Sequence, residues 1–270
     1  MRRSPLVFVL LAALAPAATA LAAGSTAAPP SASATLAKMA AAAGGMSVLA
    51  SIKTQVIVAT AAIQGQQATL TTTVQAPNKF LQVIDVPAFH LRITKAYDGT
   101  TAWASDAYGN VKALTGDQAH EVLCEAIDSN DAVMFPDRWP VTVKAQPNQT
   151  IDGKSYLVLS VTPKGCETAT LMVDPKTDLI SRETVSGQTS VLSNFKKGPA
   201  GEIYAATLVV TGPQGVFVAT VSSVQDNVAL DPAAFTMPPP PSPSPAPAAS
   251  AAPAASMAPA SPSPSPTPYV

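Results

Sequence analysis

The chain has 270 residues, of which 47% are hydrophobic and only 12% are charged. Sixteen Lys and Arg face seventeen Asp and Glu, so the net charge is −1, and without Arg2 and Arg3 it becomes −3. A basic nucleic-acid binder is therefore not expected, and two Cys and two His offer little for a metal cluster or a cofactor.

The first 23 residues have the pattern of a secretory signal peptide. Arg2 and Arg3 precede an apolar stretch from Leu6 to Ala15, and small residues at Ala18, Ala20 and Ala22 follow it. This pattern predicts cleavage between Leu21 and Gly24 and export to the periplasm or the medium. The neighbourhood of the predicted cleavage site contains no Cys, so a lipid anchor is not expected there.

Residues 238–270 consist almost entirely of Pro, Ala and Ser. Such a segment has no apolar residues from which to build a core, so we expect a disordered tail. It acts either as a passive solubilising tail or as a spacer that reaches a partner. The part between the two ends, residues 34–237, is long enough for one domain with its own core.

Apolar residues in this central part recur mainly with a period of two, which is typical of half-buried strands. Ile57, Ala59 and Ala61 fall on one face of the first run, and Asp98-Gly99 marks a hairpin. Ten or so such strands predict a mainly β domain, an antiparallel sheet curled into an open barrel. The predicted runs include 79–86, 88–97, 101–108, 139–146, 156–163, 168–174, 179–185, 189–195, 203–211 and 216–224.

Two segments have helical spacing instead. Residues 35–43 end at Gly44-Gly45, which is typical of a helix C-terminus. A second helix is predicted from Thr115 to Ile127, where Thr115 and Gln118 suggest a capping box. Two helices over the open side of a curled sheet would leave an apolar interior between them.

Four stretches, in this order, resemble the periplasmic lipoprotein-carrier (LolA-like) superfamily: Ala76–Phe80, Tyr97–Trp103, Val173–Ile180 and Asn227–Phe235. The resemblance implies an incomplete antiparallel β-barrel with a helical lid and a cavity for acyl chains, without catalysis. We expect a monomer whose partners are the acyl chains of lipids or lipoproteins, together with membrane proteins of the envelope. The lipoprotein carriers have a basic residue just before the Pro-Asn pair, where this chain has Ala76.

Residue patterns for catalysis are incomplete. His120-Glu121-Val122-Leu123-Cys124 differs from the zinc-binding HExxH helix in having Cys at the last position, and the other histidine, His90, lies in a predicted strand. Asp117 and Glu121, one helical turn apart, are interpreted as part of a solvated face. The sequence also lacks a Gly-x-Ser-x-Gly elbow. We therefore expect no catalytic or metal-binding residues and predict a binding or structural domain.

An acyl-chain site is predicted from the strand alternation and the second helix. Matching apolar faces of neighbouring strands would line one side of the sheet, and the helix would close over them. Each of these residues could equally fill the core of a barrel. The nine candidate ligand-binding residues are Phe80, Ile84, Phe89, Leu91, Ile93, Trp103, Val122, Leu123 and Ile127.

The two cysteines, Cys124 and Cys166, would either form a disulfide in an oxidising compartment or stay as buried, unlinked thiols. Two functions remain open. The first is an exported soluble carrier or chaperone that binds acylated or lipidic ligands in an apolar cavity. The second is a cell-envelope scaffold or sensor domain of the same fold that transports nothing.

Overall fold

The structure is a computed structural model that describes residues 30–213 and 215–239. The predicted signal peptide, 1–23, and nearly all of the predicted tail, 238–270, lie outside the described residues. The predicted domain limits at residues 34 and 237 therefore remain predictions.

Three α-helices occur in the described residues: α1 (Ala32–Ala42), α2 (Met46–Ser51) and α3 (Gly116–Ser129). The helices α1 and α3 were predicted, whereas α2 was not. The N-terminus of α1 is capped by Ser31, whose Oγ accepts a hydrogen bond from the Ala34 amide at 3.2 Å. The capping box predicted for α3 is wrong, because the Thr115 side chain makes no capping hydrogen bond.

Thirteen strands form one sheet in the described residues, and each pair of neighbours is antiparallel. They are β1 (Thr54–Ile63), β2 (Gln66–Gln75), β3 (Lys79–Val86), β4 (Leu91–Tyr97), β5 (Ala102–Ser105), β6 (Val111–Ala113), β7 (Val141–Ile151), β8 (Lys154–Pro163), β9 (Ala169–Asp174), β10 (Leu179–Val185), β11 (Gln188–Lys197), β12 (Ile203–Gly212) and β13 (Gly215–Asp226).

The sheet has the strand order β6-β5-β4-β3-β2-β1-β13-β12-β11-β10-β9-β8-β7, with β6 and β7 at its edges. These two edge strands follow each other in the chain, and α3 lies between them. The predicted fold class, an incomplete antiparallel barrel with a helical lid, is confirmed. In the described residues the edge strands β6 and β7 do not pair with each other, which leaves an open seam in the barrel. The helix α3 connects them across this seam.

Alternation predicted two opposite faces for the first strand, and the structure buries the face that carries Ile57, Ala59 and Ala61. In β1 the buried positions include Ile57, Ala59 and Ala61, and the paired register puts them on the same face as Leu70 of β2 and Leu208 of β12. Together with residues of β7–β11 they form the main core, a continuous cluster of buried apolar side chains. Because successive strand residues point to opposite faces, one buried face needs an apolar residue at every second position.

The interior of the barrel is occupied by α1 and α2. Met39, Ala43 and Leu49 are fully buried in the main core, and α1 contacts β7 and β10. The end of α1 meets the start of β12 so closely that a Cβ atom at Gly44 would lie 2.7 Å from the Gly201 carbonyl oxygen. Gly44 also has a φ of +110°, so a glycine is required here on both counts.

The strand predicted over residues 88–97 begins later than expected. Pro87–Phe89 form a single 3₁₀ turn, and His90 follows in the left-handed conformation with a φ of +50°. This residue ends the turn and lets β4 start at Leu91. Pro87 fixes its own φ and lacks an amide donor, which favours a turn over a continuous ladder at this point.

Candidate functional site

The helix α3 packs tightly against one half of the sheet. It contacts β3, β4 and β5 through the Phe80 cluster, a set of buried apolar side chains. Three of the predicted ligand-binding residues belong to this contact, because Phe80 and Val122 are members and Leu123 packs against it. Phe80 is only 1% exposed, so it fills a packed core and does not line a cavity. The members of the Phe80 cluster are Val74, Phe80, Tyr97, Ala102, Val122 and Ala126.

Other predicted ligand-binding residues lie in or beside the main core. Ile84 is opposite Ile93, and Val86 is opposite Leu91, so these side chains share the inner face as the alternation predicted. Ile84 belongs to the main core and Leu91 packs against it. Ile127 of α3 is also fully buried. That these side chains bind a ligand stays a prediction, and Ile84 and Leu91 lie in or next to filled interior.

Two predicted positions are wrong. Trp103 pairs with Ala96, whereas its neighbour Ala102 pairs with Tyr97 of the Phe80 cluster, so Trp103 points to the outer face. There its Nε1 donates a hydrogen bond to the carbonyl oxygen of Phe235 at 2.7 Å, and Phe235 is fully buried. Two of the stretches that resemble the lipoprotein carriers therefore meet in a structural contact outside the barrel.

Phe89 is the second misplaced residue. It ends the 3₁₀ turn instead of lying in a strand, and 47% of it is exposed. It therefore does not share a strand face with Leu91 and Ile93. The prediction assumed a strand over residues 88–97, but Phe89 belongs to the 3₁₀ turn and His90 ends that turn, so the alternation starts only at Leu91.

A cleft separates α3 from the opposite half of the sheet. This α3 cleft has a volume of about 340 Å³ and lies between α3 and the strands β8, β9 and β10. None of the nine predicted ligand-binding residues lines it. Its apolar walls are Val161, Pro163, Ala169 and Val185.

Acidic side chains line the α3 cleft on both sides. Residues 117, 121, 125 and 128 are spaced so that they share one face of α3. Asp117, which was interpreted as part of a solvated face, is exposed and Glu121 is half-buried, whereas the side chain of Glu125 on the same face is only 7% exposed. The acidic residues of the cleft are Asp117, Glu121, Glu125 and Asp128 from α3, with Glu167 and Glu183 opposite.

Glu125 joins α3 to the sheet by an ion pair. Its Oε1 accepts a hydrogen bond from Lys95 Nζ of β4 at 2.5 Å. Its Oε2 is buried and has no hydrogen-bond partner among the described residues. Burial raises the pKa of Glu125 above its ordinary value, against the opposing effect of Lys95. The pKa of Glu121, one turn earlier, is raised by burial in the same way, again opposed by Lys95.

A disulfide ties α3 to the opposite half. Cys124 and Cys166 are bonded, with their Cα atoms 5.8 Å apart, and both line the cleft. His120 Nε2 lies 3.7 Å from Cys124 Sγ. A disulfide sulfur is not a thiolate, so this pair does not supply zinc ligands. In the described ranges, no three His, Cys, Asp or Glu are grouped so that they could hold a metal ion.

The sequence patterns did not predict that Glu125 and Glu183 line a cleft or that Lys95 pairs with Glu125. A signal for Lys95 was available, because it takes an inner-face position between Ile93 and Tyr97. A charge at a position where alternation demands an apolar residue indicates a paired or functional group. The signal for Glu125 was weaker, because its partner lies 30 residues away in the chain.

None of the helices described by the structure is long and apolar enough to cross a membrane. No protein-family model matches the chain. No curated protein matches it significantly either. Solved structures do resemble the chain.

A LolA superfamily protein from Nitrosomonas europaea is similar to this chain with 17% sequence identity and a TM-score of 0.54, covering 77% of this chain and 98% of that protein. A domain named for outer-membrane lipoprotein sorting, from Vibrio parahaemolyticus, has 13% identity and a TM-score of 0.47, covering 68% and 89%. A complex of MucA and MucB from Pseudomonas aeruginosa has 13% identity and a TM-score of 0.22, covering 73% and 99%.

At these identities the likeness concerns the fold, and the similarity to the Nitrosomonas europaea protein extends over almost all of that structure. It agrees with the open thirteen-stranded sheet and the helix across its seam. The chain has the fold of the LolA superfamily.

Proposed function

We propose that this chain is an exported, non-catalytic domain that binds acylated or lipidic ligands in the α3 cleft and acts as a soluble carrier or chaperone in the cell envelope. The observation that supports this proposal is the cleft itself. Its volume of about 340 Å³ falls within the range of small-molecule sites, and its walls include Val161, Pro163, Ala169 and Val185.

The binding energy would come mainly from the apolar part of the ligand. Each methylene removed from water contributes about 0.8 kcal/mol, so a chain of several methylenes can bind without a strong polar anchor. The cleft is the part of the α3 surroundings where such a chain could enter without displacing a packed side chain.

The signal peptide predicted over residues 1–23 supports an exported location. The partners in this proposal are the acyl chains of lipids or lipoproteins. Membrane proteins of the envelope would deliver or accept the ligand. The domain would work as a monomer.

A second function is supported by the filled interior of the barrel. Met39 and Leu49 from the helices, with Val133 and Met134 from the segment after α3, are buried in the main core. A domain with a packed interior could act as a scaffold or sensor that transports nothing. This alternative requires that the α3 cleft bind no lipidic ligand.

Titration with a fluorescent probe that carries a long, uncharged alkyl chain separates the two functions. We expect saturable binding to the wild-type protein and a loss of binding in Val185→Trp, which fills the cleft. The matched control is Val218→Trp, which places the same side chain at an exposed position of β13 outside the cleft. If the wild-type protein binds no probe, the carrier function is wrong and the scaffold function replaces it.

A further inference from the structure

The charge of the α3 cleft is one-sided. Six carboxylates line it, together with His120, and no Lys or Arg lines it among the residues that the structure describes. Two of these carboxylates, Glu125 and Glu183, are buried. Like charges in a partly enclosed space repel anions and attract cations more strongly than in open water.

An unsatisfied buried oxygen on a residue that lines the cleft is a second and independent observation. Glu125 lines the cleft, and its side chain is more than nine-tenths buried. Lys95 occupies Oε1, but Oε2 is buried and receives no hydrogen bond from any described residue. A buried acceptor without a donor is costly, and a ligand with an N–H group would supply the missing donor.

We propose that the α3 cleft selects lipidic ligands whose polar end is an alkylammonium group. The ammonium would donate to Glu125 Oε2, with Glu121 one helical turn away, and the alkyl chain would lie on the apolar wall around Val161 and Val185. This inference depends on the proposed function because it uses the same cleft, and it adds the charge of the ligand.

The chemistry of the cleft favours an amine over the other candidates. A fatty acid would bring a carboxylate into a space that already holds six. A metal ion would need three grouped ligands, and the described residues contain no such group. An ammonium has three donors and is positively charged up to a pKa of about 10.4, so it stays charged across the physiological range.

Matched ten-carbon ligands test the proposal by calorimetric titration, at concentrations below those at which they aggregate. The probes are decylamine, decanol and decanoate. We expect wild-type protein to bind decylamine about tenfold more tightly than decanol, as a charge-assisted hydrogen bond allows, and to bind decanoate most weakly. Glu125→Gln should remove the preference for the amine, so that decylamine binds no more tightly than decanol.

Control variants keep the test decisive. Asp137→Asn removes one exposed acidic charge outside the cleft and should keep the preference. If Glu125→Gln fails to fold, Glu121→Gln replaces it and should weaken decylamine binding more than decanol binding. Equal binding of the three probes would overturn the amine preference and leave the lipid-binding function intact. Binding of none of them would overturn both.

Discussion

The two sides of α3 are held to the barrel by different means. On one side, Val122 and Ala126 are buried in the Phe80 cluster, and Glu125 pairs with Lys95 of β4. On the other side, α3 faces an open cleft lined by acidic residues, and a disulfide joins Cys124 to Cys166. The same helix therefore has one packed side and one open side.

This difference indicates which side can accept a ligand. On the packed side the side chains interdigitate, so a ligand could enter only by breaking contacts between them. A disulfide keeps two segments together while leaving the space beside it free. We infer that the Phe80 cluster fixes the position of α3, whereas the cleft side is available for binding.

The largest effect is expected from Phe80→Ala, which breaks the packed side. Truncating this fully buried ring leaves a cavity, and the free energy of unfolding should fall by about 4 kcal/mol. Urea unfolding followed by circular dichroism measures the change. Phe89→Ala is the control, because Phe89 is half exposed, and it should shift stability by less than about 0.5 kcal/mol. Equal losses of stability in Phe80→Ala and Phe89→Ala would show that the Phe80 side of α3 is not tightly packed.

Removing the disulfide tests the open side. The bond joins residues 42 positions apart. In the chain-entropy model such a loop stabilises the fold by about 4 kcal/mol through the unfolded chain, so Cys124→Ser with Cys166→Ser should lose about 3–4 kcal/mol. Unfolding of the variant and of the oxidised wild type is compared without reductant. Reactive thiols in unfolded, unreduced wild-type protein would show that the bond is absent.

A matched pair of valines compares the two sides directly. Val122→Ala on the packed side should cost about 1.5–2 kcal/mol, since the lost packing is partly offset by the higher helix propensity of Ala. Val185 lines the cleft, so Val185→Ala leaves no enclosed cavity. It should lower the free energy of unfolding by less than about 1 kcal/mol. Thermal and chemical unfolding provide both values. A larger loss for Val185→Ala would show that the cleft side is packed as well.

The pH dependence of stability sharpens the role of Glu125. Because burial raises the pKa of Glu125 in the folded state above its ordinary 4.5, the folded protein holds this proton more tightly than the unfolded chain. The resulting stability is complete below the unfolded pKa and is lost as the pH rises through the folded value. The free energy of unfolding should therefore fall above about pH 4.5, and Glu125→Gln should flatten this decline.

Unfolding curves at several pH values between about 4 and 8 test this expectation. Glu121 contributes in the same direction, since burial raises its pKa as well, so the single variant should flatten the decline only in part. Asp137→Asn serves as the control and should keep the wild-type slope. If stability declines with pH equally steeply in Glu125→Gln and in the wild type, Glu125 does not cause the decline.

The smallest effect is expected from removing the tail. Deletion of residues 240–270 should change Tm by no more than about 2 °C, because their Pro, Ala and Ser composition offers no core residues. A deletion from Asp231 onward should be much more harmful, because it removes Phe235 and the acceptor of the Trp103 hydrogen bond. Differential scanning calorimetry compares both truncations with the full chain.

The sequence by itself determined the strand architecture and both longer helices. Period-two alternation put Ile57, Ala59 and Ala61 together on one face of β1, because successive strand residues point to opposite faces. The four stretches that resemble the lipoprotein carriers predicted the fold, and the contact of Trp103 with Phe235 shows that two of them serve structure. These signals come from neighbouring residues or from the order of the four stretches along the chain, so they can be recognised without the tertiary structure.

Only the tertiary structure decided where the open space lies. The alternation that put Ile84 and Ile93 on one face could not tell whether helices fill that face, since this depends on where α1 packs. The cleft arises between segments that are distant in sequence, because Glu125 of α3 and Glu183 of β10 line it from opposite sides. Burial turned Glu125 from a surface acid into an ion-paired one, and burial depends on neighbours that local periodicity does not specify.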